Sequence, residues 1–395
     1  MKLIDGVPVW GDLQPEALAQ MVNCARHDDV VGCALMADHH LGYAVPVGGV
    51  IAYGEHISPS GVGYDIACGN KAVLLDIPAA EVRARIETIM DDIWCALEFG
   101  VGRQNPDAPD HALFDDDPAW RLDSVAPHKE MARLQLGTIG SGNHYVDLFE
   151  DEQGRTWVGV HFGSRGLGHK LATHYVQAGG GRDGINVDPV LLQQDSDLGR
   201  EYIAAMTLAG RFAYAGRDWV SQRVAQLLGA QVLDEVHNHH NFAWLESHGG
   251  RDVWVVRKGA TPAFPGQRGF VGGSMGDISV ILEGVASDDA AATFASTVHG
   301  AGRVMSRTAA AGKYKGWGAN RRQVSRGAVS PGMMAEWLER EGVTLRGGGL
   351  DESPHAYRRL PDVLEAHAAS IRILHTLRPI GVAMAGADVA DPYRD

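Results

Sequence analysis

The chain has 395 residues and a formal net charge of −14, with 35 Lys and Arg against 49 Asp and Glu. This acidic balance excludes a protein that holds nucleic acid by overall positive charge, although one basic face could still do so. Only four cysteines, no apolar run long enough to span a bilayer and no signal-peptide pattern argue against a disulfide scaffold or a membrane protein, so we expect a cytoplasmic protein.

Helices and strands alternate along the chain. Apolar residues three and four apart predict helices, and short Val- and Ile-rich runs bounded by glycine predict strands. In chain order, the predicted elements are a strand at 71–75, a helix at 80–97, a strand at 157–162, a long amphipathic helix at 200–228, strands at 253–257 and 278–282, and a helix at 362–377. The Asp-rich stretch 102–118 is predicted to be an excursion loop. The length allows two domains, but no linker or repeat divides the chain.

Four short stretches, three of which contain glycine, carry side chains that bind metal ions. They supply Asp65 and Cys68 from 62–70, Asn143 and His144 from 137–145, His161 from 157–166, and His237, His239 and His240 from 237–242. Asp65 and Cys68 can converge on one centre if the backbone turns at Gly69. A thiolate, a carboxylate and imidazoles suit zinc, manganese or iron rather than calcium or magnesium, and a bridging thiolate suits two ions.

Each of these residues also has an ordinary structural explanation. Cys68 could be a buried thiol, Asp65 could cap a turn, and the histidine cluster could lie on a polar loop. However, every candidate lies at the edge of an apolar run and beside glycine, where functional loops leave a scaffold. We therefore favour a metal site.

His299 is the candidate nucleophile. Small residues flank it, and the motif Gly-x-Gly-Arg-x-x-x-Arg follows it. The glycines allow a ligand close to the backbone, and the guanidinium groups of Arg303 and Arg307 suit phosphate. An imidazole in this setting can attack phosphorus. Taken alone, a histidine beside glycine is more often a packed or surface residue.

The segment from Arg303 to Ala335 is basic despite the acidic chain. It contains no Asp or Glu, Tyr314 and Trp317 are interleaved in it, and its basic residues are Arg303, Arg307, Lys313, Lys315, Arg321, Arg322 and Arg326. Charge of one sign with aromatic faces is typical of surfaces that bind single-stranded RNA. The alternative is a solvated basic loop. Its position directly after His299 favours contact with a substrate.

Eight motifs together indicate a family. They occupy residues 36–42, 65–69, 140–144, 161–166, 239–241, 257–260, 273–276 and 299–303. In sequence and in order these motifs resemble the RtcB family of RNA-splicing ligases. The resemblance extends from near the amino terminus to about residue 386 and leaves a short extension after it.

The resemblance implies a fold and a metal site. The implied fold class is α+β, with a single large domain over residues 1–395 in which helices flank mixed β-sheets around a central metal cleft. The resemblance also implies that two manganese ions share Cys68 and are bound by Asp65, Cys68, His144, His161 and His240. His299 is then the histidine that becomes guanylated.

The resemblance further implies contacts to GTP and to RNA. The nucleotide-binding residues are Asn143, Asp147, Arg257, Lys258, Gly273, Ser274, Met275, Gly300, Ala301, Gly302, Arg303 and Tyr357. Of the basic residues, Arg257, Lys258, Arg303 and Arg307 face phosphate, and Tyr357 packs on the guanine. The RNA-binding residues are Arg165, Arg307, Lys313, Lys315, Arg321 and Arg322. An archease-type activator is a possible partner of such a ligase.

The implied reaction joins an RNA 3′-phosphate or 2′,3′-cyclic-phosphate end to a 5′-hydroxyl end, in tRNA splicing or RNA repair. His299 attacks the α-phosphate of GTP, the resulting GMP passes to the 3′-phosphate, and the 5′-hydroxyl displaces it. A cyclic phosphate is first opened by a metal-activated water.

Several residues depart from the family pattern. Asp147 stands where the family has a glutamate that reads guanine, and residues 381–386 contain no lysine where the family ends with one. Tyr64, Ala67 and Asn70 replace smaller or apolar residues near the metal motif. Two alternatives therefore stay open beside the ligase: a metal-dependent nucleotidyltransferase or phosphohydrolase that acts on RNA ends, and a non-catalytic protein that binds RNA ends.

Overall fold

The computed structural model describes residues 1–315 and 322–387. The α-helices in these residues are α1 Pro15–Cys24, α2 Pro59–Val62, α3 Ala79–Ala84, α4 Ile86–Ala96, α5 Leu113–Asp116, α6 Lys129–Gln135, α7 Arg165–Ala178, α8 Asp197–Leu228, α9 Asp288–Ala292, α10 Arg307–Ala311, α11 Pro331–Glu341 and α12 Leu360–Glu365. Short 3-10 helices cover Pro118–Arg121, Ala126–His128, Leu350–Glu352 and Pro354–Ala356.

The strands of the described residues form two large sheets and three small ones. The strands are β1 Lys2–Ile4, β2 Val7–Val9, β3 Val30–His40, β4 Val47–Tyr53, β5 His56–Ile57, β6 Gly69–Pro78, β7 Tyr145–Asp151, β8 Arg155–Phe162, β9 Leu192–Gln193, β10 Val232–His239, β11 Asn241–His248, β12 Arg251–Lys258, β13 Ala260–Pro262, β14 Arg268–Val271, β15 Ser279–Gly284, β16 Ser296–Val298, β17 Gly312–Lys315, β18 Arg322–Arg326, β19 Thr344–Gly348 and β20 Ile371–Gly386.

Sheet order explains where functional side chains can meet. One sheet has the order β1-β2-β3-β4-β12-β11, and the other has the order β10-β6-β8-β7-β20-β15-β14 with β19 on β20. In the second sheet the end of β10, the start of β6, the end of β8 and the start of β7 are neighbours, because His239 pairs with Gly69 and His161 pairs with both Asn70 and Tyr145. This row of strand ends, here called the edge of the sheet, therefore brings together residues from four chain segments.

Helix α8 supports this edge from behind. Ser196 caps its start by accepting a hydrogen bond from the Gly199 amide, and Gly229 ends it in the left-handed conformation. Its first half buries Tyr202 and Phe212 in one hydrophobic cluster, and its second half buries Val220 in another, against β6, β7 and β8. One amphipathic helix thus joins two parts of the core.

The predicted α+β class is confirmed, and so are most of the predicted elements. The strands predicted at 71–75, 157–162, 253–257 and 278–282 lie in β6, β8, β12 and β15, and the long helix predicted at 200–228 is α8. The helix predicted at 80–97 is broken at Arg85 into α3 and α4. None of the helices in the described ranges combines the length and the apolar character needed to cross a bilayer.

The helix predicted at 362–377 is wrong. Helix α12 ends at Glu365, and β20 begins at Ile371. Residues Ile371 to Leu377 instead pair with β15, and pairing of β20 with β7 begins at Leu377. Backbone pairing with the neighbouring strand outweighed the helical spacing.

Candidate metal centre and active site

The segment before β6 folds into a tight turn. The Cys68 amide donates to the Asp65 carbonyl at 3.0 Å, and Ala67 between them has a φ of +60°. The predicted turn at Gly69 is therefore wrong: the chain turns at Ala67, and Gly69 already belongs to β6. Gly69 is needed for a different reason, since a Cβ there would lie 2.2 Å from the Asn238 carbonyl oxygen on β10. The turn brings the Asp65 carboxylate and the Cys68 thiol together.

The His161 ring is oriented by Asn70. Its Nδ1 lies 2.5 Å from Oδ1 of Asn70, and the amide nitrogen of Asn70 donates to the Phe270 carbonyl at 2.9 Å. Because Asn70 already donates through its nitrogen, its oxygen accepts a proton from Nδ1 of His161. Nε2 of His161 then carries a lone pair and lies 3.6 Å from the Cys68 sulfur. This is the usual arrangement behind a metal-binding histidine.

His144 reaches the same sulfur from the loop before β7. Its Nε2 lies 3.6 Å from Sγ of Cys68 and 3.1 Å from Oδ2 of Asp65. Arg165, at the start of α7, lies 3.1 Å from Nδ1 of His144 and donates to the Ile139 carbonyl. The positive φ of Gly140 brings the backbone so close to Arg165 that a Cβ there would clash with the guanidinium. The glycines of this loop therefore allow His144 and Arg165 to approach each other.

His240 completes the cluster from the turn after β10. Its ring stacks on His161 with centroids 5.1 Å apart, and its Nδ1 is buried without a hydrogen-bond partner among the described residues. A buried polar atom with no partner is costly, and a metal ion would satisfy it. Burial holds the pKa of both His161 and His240 well below the usual value, so both imidazoles are neutral, as ligands must be.

The five predicted ligands form two sets that share one thiol. Cys68, His161 and His240 make one set, and Asp65, Cys68 and His144 make the other, with the donor atoms of each set within 4.8 Å of one another. Burial, and then the adjacent Asp65, raise the pKa of the Cys68 thiol well above its usual value. A bound cation would supply the charge that favours the thiolate. The donor set thus fits a pair of borderline metal ions bridged by sulfur.

His299 lies beside this cluster and is held by Asp38. Nδ1 of His299 is 2.6 Å from Oδ2 of Asp38, and the same oxygen accepts hydrogen bonds from the amides of His299 and Gly300. Asp38 is fully buried at the end of β3. Burial raises its pKa, but the facing His299 and His40 outweigh this, and the pKa lies below the usual value. The His299 ring makes an edge contact with His240 at 5.0 Å.

A cavity of about 600 Å³ joins the ligands, His299 and most of the other predicted residues. A volume of this size can hold a nucleotide-sized ligand. Predicted contacts that line it are Asn143, Asp147, Arg165, Lys258, Gly273, Ser274, Met275, Gly300, Ala301, Gly302, Arg303, Arg307 and Tyr357.

Arg257 does not line this cavity, which contradicts its predicted contact with phosphate. It is fully buried, and it donates to both carboxylate oxygens of Glu246, to the Ser296 hydroxyl and to the Phe294 carbonyl. A buried guanidinium requires this many partners, and here the core supplies all of them. Arg257 is therefore a structural residue that joins β12 to the segment before β16.

Arg303 and Arg307 at the start of the basic segment line the cavity, but the described basic residues that follow them do not. Lys313 and Lys315 are on β17 and Arg322 is on β18, which pair as an exposed two-stranded hairpin. None of these three side chains lines the cavity, and Arg321 lies outside the described residues. Contact between this hairpin and a longer RNA stays a prediction.

Three structural residues were missed in the sequence. Asp38 lies within the first family motif, but its sequence position gave no sign that it faces His299 across 261 residues. Glu352 faces both Arg303 and Arg307, at 3.4 and 3.3 Å. Arg217 on α8 is fully buried and donates to the carbonyls of Ala67 and Phe162. Only tertiary structure shows these contacts.

Asp147 lies at another part of the cavity, on β7. It is buried, its Oδ1 has no partner among the described residues, and burial raises its pKa well above the usual value. It pairs across the sheet with Val382 of β20, and Val382 and Met384 line the same cavity. Among the described residues, this wall therefore places the Asp147 carboxyl group beside the apolar side chains of Val382 and Met384.

Comparison with known proteins agrees with the motifs. The family model described as tRNA-splicing ligase RtcB matches residues 20–385. The chain is 31% identical over 457 aligned positions to the tRNA-splicing ligase RtcB of Thermococcus kodakarensis, covering 94% of this chain and 91% of that protein. It is 28% identical to the RNA-splicing ligase RtcB of Escherichia coli K12, with 95% and 94% covered, and 30% identical to that of Mycobacterium tuberculosis, with 92% and 99% covered. The chain therefore belongs to the tRNA-splicing ligase RtcB family, a family of RNA ligases.

Proposed function

We propose that this chain joins RNA 3′-phosphate or 2′,3′-cyclic-phosphate ends to 5′-hydroxyl ends, with GTP as the nucleotide and two manganese ions as cofactors. The observation that carries the proposal is the position of His299. Its ring contacts the ligand His240, which shares the Cys68 thiol with the other ligands, and its Nδ1 lies 2.6 Å from the buried Asp38 carboxylate. A nucleophile, its orienting acid and charge-neutralising groups in one cavity are what nucleotidyl transfer requires.

The first step is attack of His299 on GTP. Nδ1 of His299 faces Oδ2 of Asp38 at 2.6 Å, which favours the proton on Nδ1 and leaves the lone pair on Nε2. Nε2 forms a bond to the α-phosphorus, the bond between the α- and β-phosphates breaks, and pyrophosphate leaves with the electron pair. Lys258, Arg303 and Arg307 line the cavity, and in this proposal they hold the phosphates.

The RNA end then takes the GMP. An oxygen of the RNA 3′-phosphate attacks the phosphorus on His299, and the electron pair of the broken bond returns to Nε2. The 5′-hydroxyl oxygen next attacks the RNA 3′-phosphate, its proton is lost, and GMP leaves. Asn143 and Arg165 line the cavity with the ligands, and in this proposal they orient the RNA phosphate. When bound, the metal ions supply charge neutralisation and lower the pKa of water for opening a cyclic end.

The decisive experiment is covalent labelling. Purified protein is loaded with manganese and incubated with α-³²P-GTP, and the protein band is counted for the intact chain and for His299→Ala. We expect label on the intact chain and none on the variant, with equal metal content in both. Exposed His174 on α7 provides the matched control, and His174→Ala should be labelled like the intact chain.

The two alternative functions are not favoured. A non-catalytic protein would not require both ligand sets together with His299 and Asp38 in one cavity. A phosphohydrolase would release the RNA phosphate instead of joining ends, and a ligation assay with 3′-phosphate and 5′-hydroxyl oligonucleotides distinguishes the two.

Three further assignments belong to this proposal. Residues 1–395 act as one catalytic domain, since α8 packs into two of its hydrophobic clusters. The protein acts in the reducing cytoplasm, because an oxidised Cys68 could not serve as a ligand. An archease-type activator assists turnover; this rests on family membership, and adding such a protein to a multiple-turnover assay tests it.

A further inference from the structure

An aromatic group stands next to the metal ligands on one wall of the cavity. Tyr64 precedes Asp65, and its ring lies 5.3 Å from the ring of His169 with an interplanar angle of 32°. Tyr43 meets the edge of the Tyr64 ring at 6.4 Å. Tyr64 and His169 both line the cavity, and neither has a part in the proposed nucleotide transfer.

The Tyr64 ring is held in a fixed orientation. It packs on the hydrophobic cluster that contains Leu167 and Leu171, and the Tyr43 ring meets its edge. His169 stands one turn after Arg165 on α7, which is anchored by the buried Leu167 and Leu171. A ring with fixed orientation loses little conformational freedom when a base stacks on it.

This wall is distinct from the wall that contains Asp147. Tyr64 packs on the cluster that includes Leu167 and Leu171, whereas Met275, Val382 and Met384 form a separate cluster with Tyr145. Each wall is next to a metal ligand in the sequence, because Asp65 follows Tyr64 and His144 precedes Tyr145. The cavity can therefore hold one base on each wall, with the reacting phosphates between them at the metal ligands.

Positive charge accompanies the aromatic wall. Arg165, Lys170 and Lys258 line the cavity together with Tyr64 and His169. Single-stranded nucleic acids are bound by this combination, in which aromatic faces stack bases and cations hold the backbone. Lys313, Lys315 and Arg322, which the structure describes on β17 and β18, do not line the cavity.

We propose that Tyr64 and His169 form a platform on which the base next to a reacting RNA end stacks, with Lys170 pairing to the adjacent phosphate. The proposal rests on the proposed RNA ligase function and specifies one of its substrate subsites. The base belongs either to the strand with the 3′-phosphate or to the strand with the 5′-hydroxyl. The chemistry of the two is the same, and the experiment below distinguishes them.

The test is a thermodynamic cycle between protein and RNA. Binding of fluorescent ten-nucleotide RNAs to the manganese-loaded protein is measured for the intact chain, Tyr64→Phe and Tyr64→Leu. One RNA series has a 3′-phosphate and the other a 5′-hydroxyl, and in each series the terminal nucleotide carries either its base or no base. Metal content is measured for every variant, because Tyr64 is adjacent to Asp65.

We expect Tyr64→Leu to weaken binding of one RNA series by roughly fivefold to a hundredfold, the range of one lost base stack, and Tyr64→Phe to bind much as the intact chain does. Removing the terminal base should cost the intact chain a similar factor and cost Tyr64→Leu almost nothing. The series that shows this coupling identifies the strand. Equal losses for the intact chain and Tyr64→Leu in both series would overturn the proposal.

If Tyr64→Leu loses metal, the same cycle on His169→Leu decides, with the same expected coupling and the same overturning result. Labelling of the protein with α-³²P-GTP is measured without RNA in parallel. Coupling in the binding cycle without any labelled intact protein would support the platform and contradict the proposed His299 chemistry, so the two proposals fail separately.

Discussion

Nδ1 of His299 lies 2.6 Å from Oδ2 of Asp38, a carboxylate with no solvent exposure. The pair joins β3 to the loop after β16 and fixes which nitrogen of the imidazole is free to attack. Asp38 acts through His299 and is therefore a positioning residue. The ligand geometry does not depend on it, and this separates its effect from that of the metal ligands.

We predict that Asp38→Asn slows adduct formation from GTP by roughly 10²–10⁴-fold and leaves metal content unchanged. An asparagine oxygen can still accept the backbone amides of His299 and Gly300, but it lacks the negative charge that stabilises the imidazole as its Nε2 attacks. The rate of labelling from α-³²P-GTP checks this. Asp38→Glu, which keeps the charge, should retain more activity than Asp38→Asn, and a rate for Asp38→Asn within threefold of the intact chain would contradict the role.

The sequence predicted the ligand set better than it predicted the backbone around it. Asp65, Cys68, His144, His161 and His240 meet as expected, because each is close to a strand end on one sheet edge. The turn that brings Asp65 to Cys68 was placed at Gly69, yet Ala67 adopts the left-handed conformation. Tertiary contacts there, including the Ala67 carbonyl bonded to Arg217, outweigh the local preference for glycine.

Other features could not be read from sequence because they depend on distant partners. Arg257 belongs to the family motif at 257–260, but only the fold shows that its guanidinium donates hydrogen bonds to Glu246 and Ser296. The apolar residues at 363–377 suit both helix and strand spacing. Pairing with the neighbouring strands β15 and β7 favours the strand β20. Local pattern predicts elements, whereas the choice between competing patterns is made by packing.

We predict that Cys68→Ala loses most of its bound manganese, because Cys68 belongs to both ligand sets. Removing His240 instead disrupts one set only. Metal analysis of dialysed protein should therefore show a larger loss for Cys68→Ala than for His240→Ala. Full occupancy in Cys68→Ala would exclude a shared thiolate. The free and exposed Cys95 provides the matched control, since Cys95→Ala should bind as much metal as the intact chain.

We predict that Arg217→Leu lowers the free energy of unfolding by about 2–5 kcal/mol. The substitution leaves the carbonyls of Ala67 and Phe162 without their donor, and it removes the contacts to His237 and His239 behind the ligands. Thermal unfolding measures the loss. Arg211→Leu, on the same helix but half-exposed and paired only with Asp117 among the described contacts, should change stability by less than about 1 kcal/mol.

A similar effect of both substitutions would contradict a special role for the buried guanidinium.

The contacts of Arg217 also explain the positions of the His237 and His239 rings. Both rings lie against its guanidinium, with nitrogen distances of 2.8 and 2.9 Å, so neither is placed to replace His299 as the nucleophile.

We predict that adduct formation declines above about pH 8 through Lys258. Its ammonium group donates to the carbonyls of Tyr43 and Ser60, and burial lowers the pKa of Lys258 from 10.5 to about 8. The charged form is the protonated one, so the charge available to phosphate is present below this pKa and is lost above it. Labelling rates between pH 7 and 9.5, in oxygen-free buffer, should fall for the intact chain. Lys258→Arg should not show this decline, since arginine stays protonated, and identical profiles would assign the decline to another group.

We predict weak discrimination between GTP and ATP, because the wall around Asp147 offers one short carboxyl group among apolar side chains. Burial raises the pKa of Asp147, which favours the neutral acid, and the facing strand presents Val382 and Met384 instead of a charged partner. A neutral carboxylic acid can both donate and accept hydrogen bonds, whereas a carboxylate only accepts them. The neutral acid therefore selects less strongly for the hydrogen-bond donors of guanine. Each lost hydrogen bond to a charged group forfeits about 1.5–3 kcal/mol, or roughly tenfold or more in preference. Adduct yields from equal concentrations of GTP and ATP measure the preference. Asp147→Leu, which replaces both carboxyl oxygens by methyl groups, should reduce what preference remains. A preference for GTP of several orders of magnitude that survives in Asp147→Leu would show that a different group reads the base.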